Sequence, residues 1–79
     1  MWIETNYGLF NADRADYFGV QADDNGGVYN LVMAIHLGDT VHYEILESDK
    51  RKARLREDYL KIRQSFSHVV SLRHTEALV

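Results

Sequence analysis

The chain of 79 residues contains no cysteine and no proline. Without cysteine, disulfide bridges and thiolate metal sites are excluded, which fits a reducing cytoplasm. Without proline, the turns must rely on Gly, Asn and Asp. No apolar run approaches the ~20 residues of a membrane-spanning helix, and no basic residue precedes an apolar run near the start. We therefore expect a cytoplasmic protein with neither a membrane span nor a secretory signal.

The length supports one domain, covering residues 1–79. A chain this short buries only about 60–65% of the surface that it exposes when unfolded, so its stability is marginal. Many domains of this size gain stability by associating with a second chain. Oligomerisation is therefore an expectation from size alone.

The clearest local pattern is a β-hairpin in "DYFGVQADDNGGVYNLVMA". Asn25-Gly26 lies between two apolar-patterned runs and suits a two-residue type I′ turn. In an antiparallel pair, residues that lie opposite each other share one face of the sheet. This turn places apolar residues opposite one another in three pairs: Ala22–Tyr29, Val20–Leu31 and Phe18–Met33.

The second turn, in "IHLGDTVHYEIL", has two possible registers. A two-residue loop, Gly38-Asp39, suits a type II′ turn but places Ile35 opposite His42. A three-residue loop places Ile35 opposite Tyr43 and keeps the apolar residues on one face, which would make Tyr43 a core residue. We expect the three-residue loop because of this face consistency, although the turn chemistry favours the shorter one.

A C-terminal helix is predicted over residues 49–70, with Ser48 as its N-cap and Asp49 in its first turn. Apolar residues recur there at helical spacing and form one stripe that would pack on the sheet: Leu55, Tyr59, Ile62, Phe66 and Val69. Strands occupy about residues 1–47, and residues 71–79 are expected to form a mobile tail. The predicted fold is α+β, with an antiparallel sheet of about four strands and one helix on one face.

Charge is divided unevenly along the chain. Residues 1–49 carry nine acidic groups and one basic group, a net charge of −8, and residues 50–79 carry eight basic and three acidic groups, a net charge of +5. The simplest interpretation of the basic run is a solvated helix face that balances the acidic strands. The alternative is that the run contacts nucleic acid or an acidic protein partner, through Lys50, Arg51, Lys52, Arg54, Arg56, Lys61 and Arg63.

The sheet face opposite the helix is predicted to be mixed in character rather than polar. It would carry Tyr17, Gln21, Asn30, Val32, Ala34, His36, His42 and Glu44. A half-apolar exposed face is one that a partner can cover, and aromatic rings anchor such contacts well. The candidate interface residues are Trp2, Tyr17 and Val32.

The layout resembles a diffuse set of short bacterial and phage proteins that open with M-[WF]-I-x-T and carry a [LF]-[FV]-N-x-D step. The matching residues are Trp2, Ile3, Thr5, Leu9, Phe10, Asn11 and Asp13, with Ser48 at the helix start. The resemblance implies a fold and a bacterial or phage source, and no activity. The chain departs from that pattern where acidic residues are expected in the first helical turn and "SDKRKA" stands instead. Basic residues there oppose the helix dipole, and the acidic half of the chain could offset them.

Catalytic and metal chemistry find little support in the sequence. His36, His42 and Glu44 could approach a zinc ion only if the three-residue loop were correct, and paired surface histidines are commoner than metal sites. There is no cysteine nucleophile and no Gly-rich phosphate loop, and so short a chain has little room for a deep pocket. We expect no enzyme, no metal and no cofactor.

Two functions remain. The first is a non-catalytic interaction protein, self-associating as a homodimer or binding an acidic partner, with the two charged halves setting the orientation. The second is a nucleic-acid-binding accessory protein that uses the basic helix segment 50–63. A membrane-surface role ranks below both, because the apolar stripe is needed to close so small a core.

Overall fold

The computed structural model describes residues 1–70. The α+β class, the antiparallel strands and the C-terminal helix are confirmed. Within these residues, five strands are divided between two sheets, β1-β2 and β3-β4-β5. The predicted tail over 71–79 lies outside the described residues. The elements are β1 (Trp2–Thr5), β2 (Gly8–Asn11), a 3-10 helix (Ala12–Arg14), β3 (Tyr17–Ala22), β4 (Tyr29–Leu37), β5 (Thr40–Asp49) and α1 (Lys52–Gln64).

The β3–β4 register is the predicted one, with Val20 opposite Leu31 and Phe18 opposite Met33. The turn that joins them differs from the prediction. The backbone N–H of Gly26 donates to the carbonyl of Asp23 at 2.9 Å, and Gly26 and Gly27 adopt positive φ. Asn25 does not, so a type I′ turn over Asn25-Gly26 is excluded. The loop is longer by two residues, which leaves the parity of the pairing unchanged.

The predicted β4–β5 register is wrong. Leu37 lies opposite Thr40 and Ile35 opposite His42, so the loop has two residues. Gly38 has φ 65° and Asp39 has a negative φ, as a type II′ turn requires. The turn chemistry therefore sets the register. The assumption that all apolar residues of β5 share one face with those of β4 led to the wrong loop length.

A β-bulge interrupts β5 beside the core. Val32 lies opposite Ile45, but Leu31 lies opposite Glu47, which leaves Leu46 as the extra residue. The side chain of Leu46 is 0% exposed and belongs to the core. Leu46 faces inward by ordinary alternation after Ile45, and the bulge turns the next residue, Glu47, to the same inner side.

The core lies between the inner face of the three-stranded sheet, helix α1 and the N-terminal hairpin. Its buried residues are Leu31, Met33, Leu46, Leu55 and Ile62. Tyr59 of the helix and Ile3 and Phe10 of the hairpin pack against them. The predicted apolar stripe therefore does place α1 on the sheet.

Helix α1 is shorter than the predicted 49–70. Ser48 is a strand residue opposite Asn30, and its hydroxyl donates to Asn30 Oδ1 at 2.5 Å, so it does not cap the helix. The helix ends at Gln64, before Phe66 and Val69. Phe66 still contacts the sheet, with its ring centroid 6.1 Å from that of Phe18.

We predict that Leu46→Ala destabilises the protein by about 3 kcal/mol, because it opens a cavity at a fully buried position. Leu37→Ala removes the same atoms from a half-exposed side chain on β4 and should cost less than about 1 kcal/mol. Urea unfolding of both variants measures the two losses. Equal losses would contradict the placement of the core around the bulge.

Candidate functional site

One face of the three-stranded sheet points away from the helix and the hairpin, and we call it the outer face. Strand alternation and the observed register assign side chains to it from all three strands. None of them is Asp, Glu, Lys or Arg, although more than a quarter of the chain is charged. The outer face consists of Tyr17, Gly19, Gln21, Asn30, Val32, Ala34, His36, Val41, Tyr43, Ile45 and Ser48.

The centre of the outer face is apolar. Two rows cross the strands there, Tyr17–Ala34–Tyr43 and Gly19–Val32–Ile45. Val32 and Ala34 are buried beneath their neighbours, while the larger side chains around them are between 43% and 55% exposed: Tyr17, Val41, Tyr43 and Ile45.

Tyr17 lies along the strand rather than projecting from it. A Cβ atom on Gly19 would collide with the Tyr17 ring and hydroxyl, so glycine at this position makes room for the aromatic side chain. The ring therefore covers strand β3 and adds to the flat apolar surface.

Polar groups surround this centre. Asn30 is buried, accepts from the Ser48 hydroxyl and donates to Asp23 Oδ2 at 3.4 Å. At the opposite end, Asp16 Oδ2 accepts from the backbone N–H of His36 at 2.9 Å and lies 3.0 Å from its Nδ1. These bonds hold the pKa of the Asp16 carboxyl below its usual value. An apolar centre with a polar rim is the usual anatomy of a protein interface.

The three predicted interface residues have different positions. Tyr17 lies on the outer face and is exposed, as predicted. Val32 lies on the same face but is only 4% exposed, because residues of the flanking strands cover it. Trp2 is 62% exposed on the separate N-terminal hairpin.

Val41, Tyr43 and Ile45 are surface residues that the predicted register had placed toward the core. These three residues alternate with polar ones, which indicated a strand with one apolar face. The wrong register turned that face toward the core. Tyr43, interpreted as a core residue, lies opposite Ala34 on the outer face.

The basic run is partly neutralised within the chain. Asp49 Oδ1 accepts from the Arg51 backbone N–H at 2.8 Å and lies 3.3 Å from its Nε, while Asp49 Oδ2 lies 3.4 Å from Arg54 Nε. The hydrogen bonds from Arg51 lower the pKa of the Asp49 carboxyl. One residue of the acidic half thus offsets positive charge beside the first turn, which contains no acidic residue and has no side-chain cap.

The other predicted basic contacts are dispersed. Lys61 Nζ lies 3.6 Å from Asp58 Oδ1, and Lys52 Nζ lies 5.8 Å above the Tyr29 ring. Within residues 1–70, Lys50, Arg56 and Arg63 form no ion pair shorter than 4.0 Å. The structure does not bring the seven basic residues together around one pocket.

The histidines lie on opposite faces of the sheet, which removes the zinc arrangement considered for His36, His42 and Glu44. His36 lies opposite Val41 on the outer face, and His42 lies opposite Ile35 on the inner side. His42 Nε2 is 2.8 Å from Glu44 Oε1. Across residues 1–70, no group of three or more His, Cys, Asp or Glu side chains could hold a metal ion.

Two carboxyl groups meet where the bulge faces the helix. Glu47 and Asp58 line a cleft of about 220 Å³ between β1, β5 and α1. Burial raises the pKa of the Glu47 carboxyl to about 7, and the neighbouring Asp58 carboxyl acts in the same direction. Arg54 opposes the shift. No sequence pattern indicated this pair, because the bulge is what turns Glu47 toward the helix.

No known protein family, curated protein or solved structure matches this chain. Within the described part of the chain, no helix is long and apolar enough to cross a membrane.

The Glu47 site predicts a pH dependence of stability. In the folded protein the Glu47 carboxyl keeps its proton up to about pH 7. In the unfolded chain, where the pKa of Glu is 4.5, the same carboxyl loses its proton at a lower pH. Folding stability contributed by this proton is therefore complete below pH 4.5 and is lost as the pH rises through 7. Glu47→Gln should raise stability relative to the unchanged protein at about pH 8 and leave it nearly unchanged at about pH 4.

Thermal unfolding at the two pH values measures this difference. Glu57→Gln is the control, because it removes the same charge from an exposed side chain on α1, the helix that carries Asp58. A Glu47→Gln effect that is the same at both pH values would contradict the assignment.

Proposed function

We propose that this protein is a non-catalytic interaction protein that self-associates as a homodimer by packing the outer faces of two copies together. The observation that carries the proposal is the uncharged outer face, with four large apolar side chains exposed around its centre. Fully buried interface centres are depleted of charge and enriched in aromatic residues, and this face has both properties.

The charge distribution supports a second copy as the occupant. The charged residues of β5, namely Glu44, Glu47 and Asp49, point to the inner side of the sheet, where they meet the hairpin or the helix. Two copies of a chain with net charge −3 can therefore approach through their outer faces without opposing carboxylates at the centre. Asp16 and Asp23 are confined to the rim.

The size of the face sets the expected strength. Three strands spaced ~4.8 Å apart, with ~3.3 Å per residue, give a flat area of roughly 400 Å² per copy. Two copies would bury somewhat more than ~800 Å², close to the ~1,000 Å² at which specific interfaces begin. The dimer should therefore be weak and should form in a concentration-dependent way, with a dissociation constant in the micromolar range or above.

A nucleic-acid role for the basic segment 50–63 is the alternative. Four residues of the segment have no ion pair within residues 1–70 and would be its phosphate contacts: Lys50, Lys52, Arg56 and Arg63. Asp49 and Asp58 weigh against it, because they already engage Arg51, Arg54 and Lys61. Duplex DNA binding that falls steeply with salt would support this alternative instead.

We predict that Tyr43→Glu abolishes the face-to-face contact and lowers the mass reached at high concentration, because it places a carboxylate at the centre of the uncharged contact. Tyr43 is half-exposed in one copy, so the fold should survive the substitution. Size-exclusion chromatography with light scattering, from low to high protein concentration, measures the mass.

Trp2→Glu is the matched control, since it adds the same charge at an exposed aromatic residue on the hairpin. It should leave the mass at every concentration unchanged. A lower mass in Trp2→Glu but not in Tyr43→Glu would place the interface on the hairpin and contradict the proposal.

A further inference from the structure

Strand β3 is an open edge of the three-stranded sheet. Proteins guard exposed edges with charged residues, prolines or bulges, because an unguarded edge pairs with other chains. The opposite edge, β5, carries a bulge and three acidic residues. β3 reads "YFGVQA" and has no charge, no proline and no irregularity in its pairing with β4.

The free hydrogen-bonding groups of this edge can be assigned. The backbone N–H of Asp23 donates to the carbonyl of Val28 at 3.0 Å, so odd-numbered residues of β3 direct their backbone groups toward β4. The N–H and C=O groups of Phe18, Val20 and Ala22 therefore point away from the sheet. Among residues 1–70, no other strand pairs with β3.

Apolar side chains border the same edge on its inner side. Phe18 and Val20 pack against the core from this strand. Phe66, which follows the helix, is 42% exposed and contacts the Phe18 ring. A strand added at this edge would therefore gain apolar contacts as well as backbone hydrogen bonds.

We propose that β3 pairs antiparallel with β3 of a second copy, joining two three-stranded sheets into one of six strands. The proposal rests on the self-association proposed above and adds a second contact to it. The outer face supplies side chains and the edge supplies backbone groups, so the two contacts do not compete. Two different two-fold contacts on one chain close into a tetramer with dihedral symmetry.

The pairing register follows from face consistency. When two copies of β3 pair antiparallel, the two-fold axis can pass through a residue, which then lies opposite the same residue of the second copy. Only such a pairing keeps inner residues opposite inner residues. The residue at the axis near the middle of β3 is either Gly19 or Val20. Centring on Val20 would bring Asp16 opposite Asp24 of the second copy, where like charges repel. Centring on Gly19 avoids this and places Phe18 opposite Val20 of the second copy, both on the inner face.

Val20→Pro tests the edge, because it removes an N–H that points away from β4 and leaves the β3–β4 ladder intact. Val20→Ala is the matched control: it shortens the side chain but keeps the N–H. By light scattering at high concentration, Val20→Pro should have about half the mass of Val20→Ala. Tyr43→Glu should lose the face-to-face contact and keep the edge-paired dimer. The double variant Val20→Pro with Tyr43→Glu should be monomeric.

Hydrogen exchange in the unchanged protein tests the same contact even if Val20→Pro does not fold. The amides of Phe18 and Val20 should become protected as the concentration rises. Equal masses for Val20→Pro and Val20→Ala, or protection independent of concentration, would overturn the edge contact. A Tyr43→Glu effect alongside equal masses would leave the face-to-face dimer standing. Loss of mass in Val20→Pro with none in Tyr43→Glu would instead overturn the role of the outer face.

Discussion

The two-residue turn at Gly38-Asp39 determines which side chains of this protein meet the core and which face outward. It fixes Leu37 opposite Thr40, and every pair along β4 and β5 follows from it as far as the bulge. Because side chains alternate along a strand, this register sends Val41, Tyr43 and Ile45 to the outer face. A loop longer by one residue would send all three to the core.

The bulge after Ile45 changes the faces of the last residues of β5. Alternation along the strand already directs Leu46 inward, where it joins the cluster formed with Leu31 and Leu55. Because of the bulge, Glu47 lies opposite Leu31 and also faces inward, whereas unbroken alternation would send it to the outer face. Glu47 thereby lies beside Asp58 of the helix, which makes this contact sensitive to protonation near pH 7. The same irregularity keeps a carboxyl group off the outer face and places it against the helix.

The sequence carried enough local information for the α+β class, the β3–β4 pairing and the packing of α1 through Leu55, Tyr59 and Ile62. These features depend on short-range patterns, namely a Gly-containing turn between apolar runs and helical spacing of apolar residues. The site was recovered only in part. Tyr17 was predicted to face outward, but Tyr43 was assigned to the core, because alternation reveals that a strand has an apolar face without revealing which side that face takes.

The start of the helix could not be predicted for a related reason. Ser48 and Asp49 form a reasonable capping sequence. Both residues instead pair with the start of strand β4, where Ser48 lies opposite Asn30 and Asp49 opposite Tyr29. Asp49 then binds Arg51 and Arg54 from the strand end. A tertiary contact therefore overrides the local signal, and the basic first turn is balanced by a residue outside the helix.

The central claim is that two copies meet through an uncharged face, and the dependence of association on salt tests it most directly. Sedimentation velocity should be measured over a range of protein concentrations at about 50 mM and about 500 mM salt, since screening weakens contacts between exposed charges and leaves apolar contacts in place. We predict a mass that rises with concentration and does not fall at high salt. Association that disappears at high salt would mean that the acidic and basic halves hold the copies together, and a mass that stays that of one chain would contradict self-association altogether.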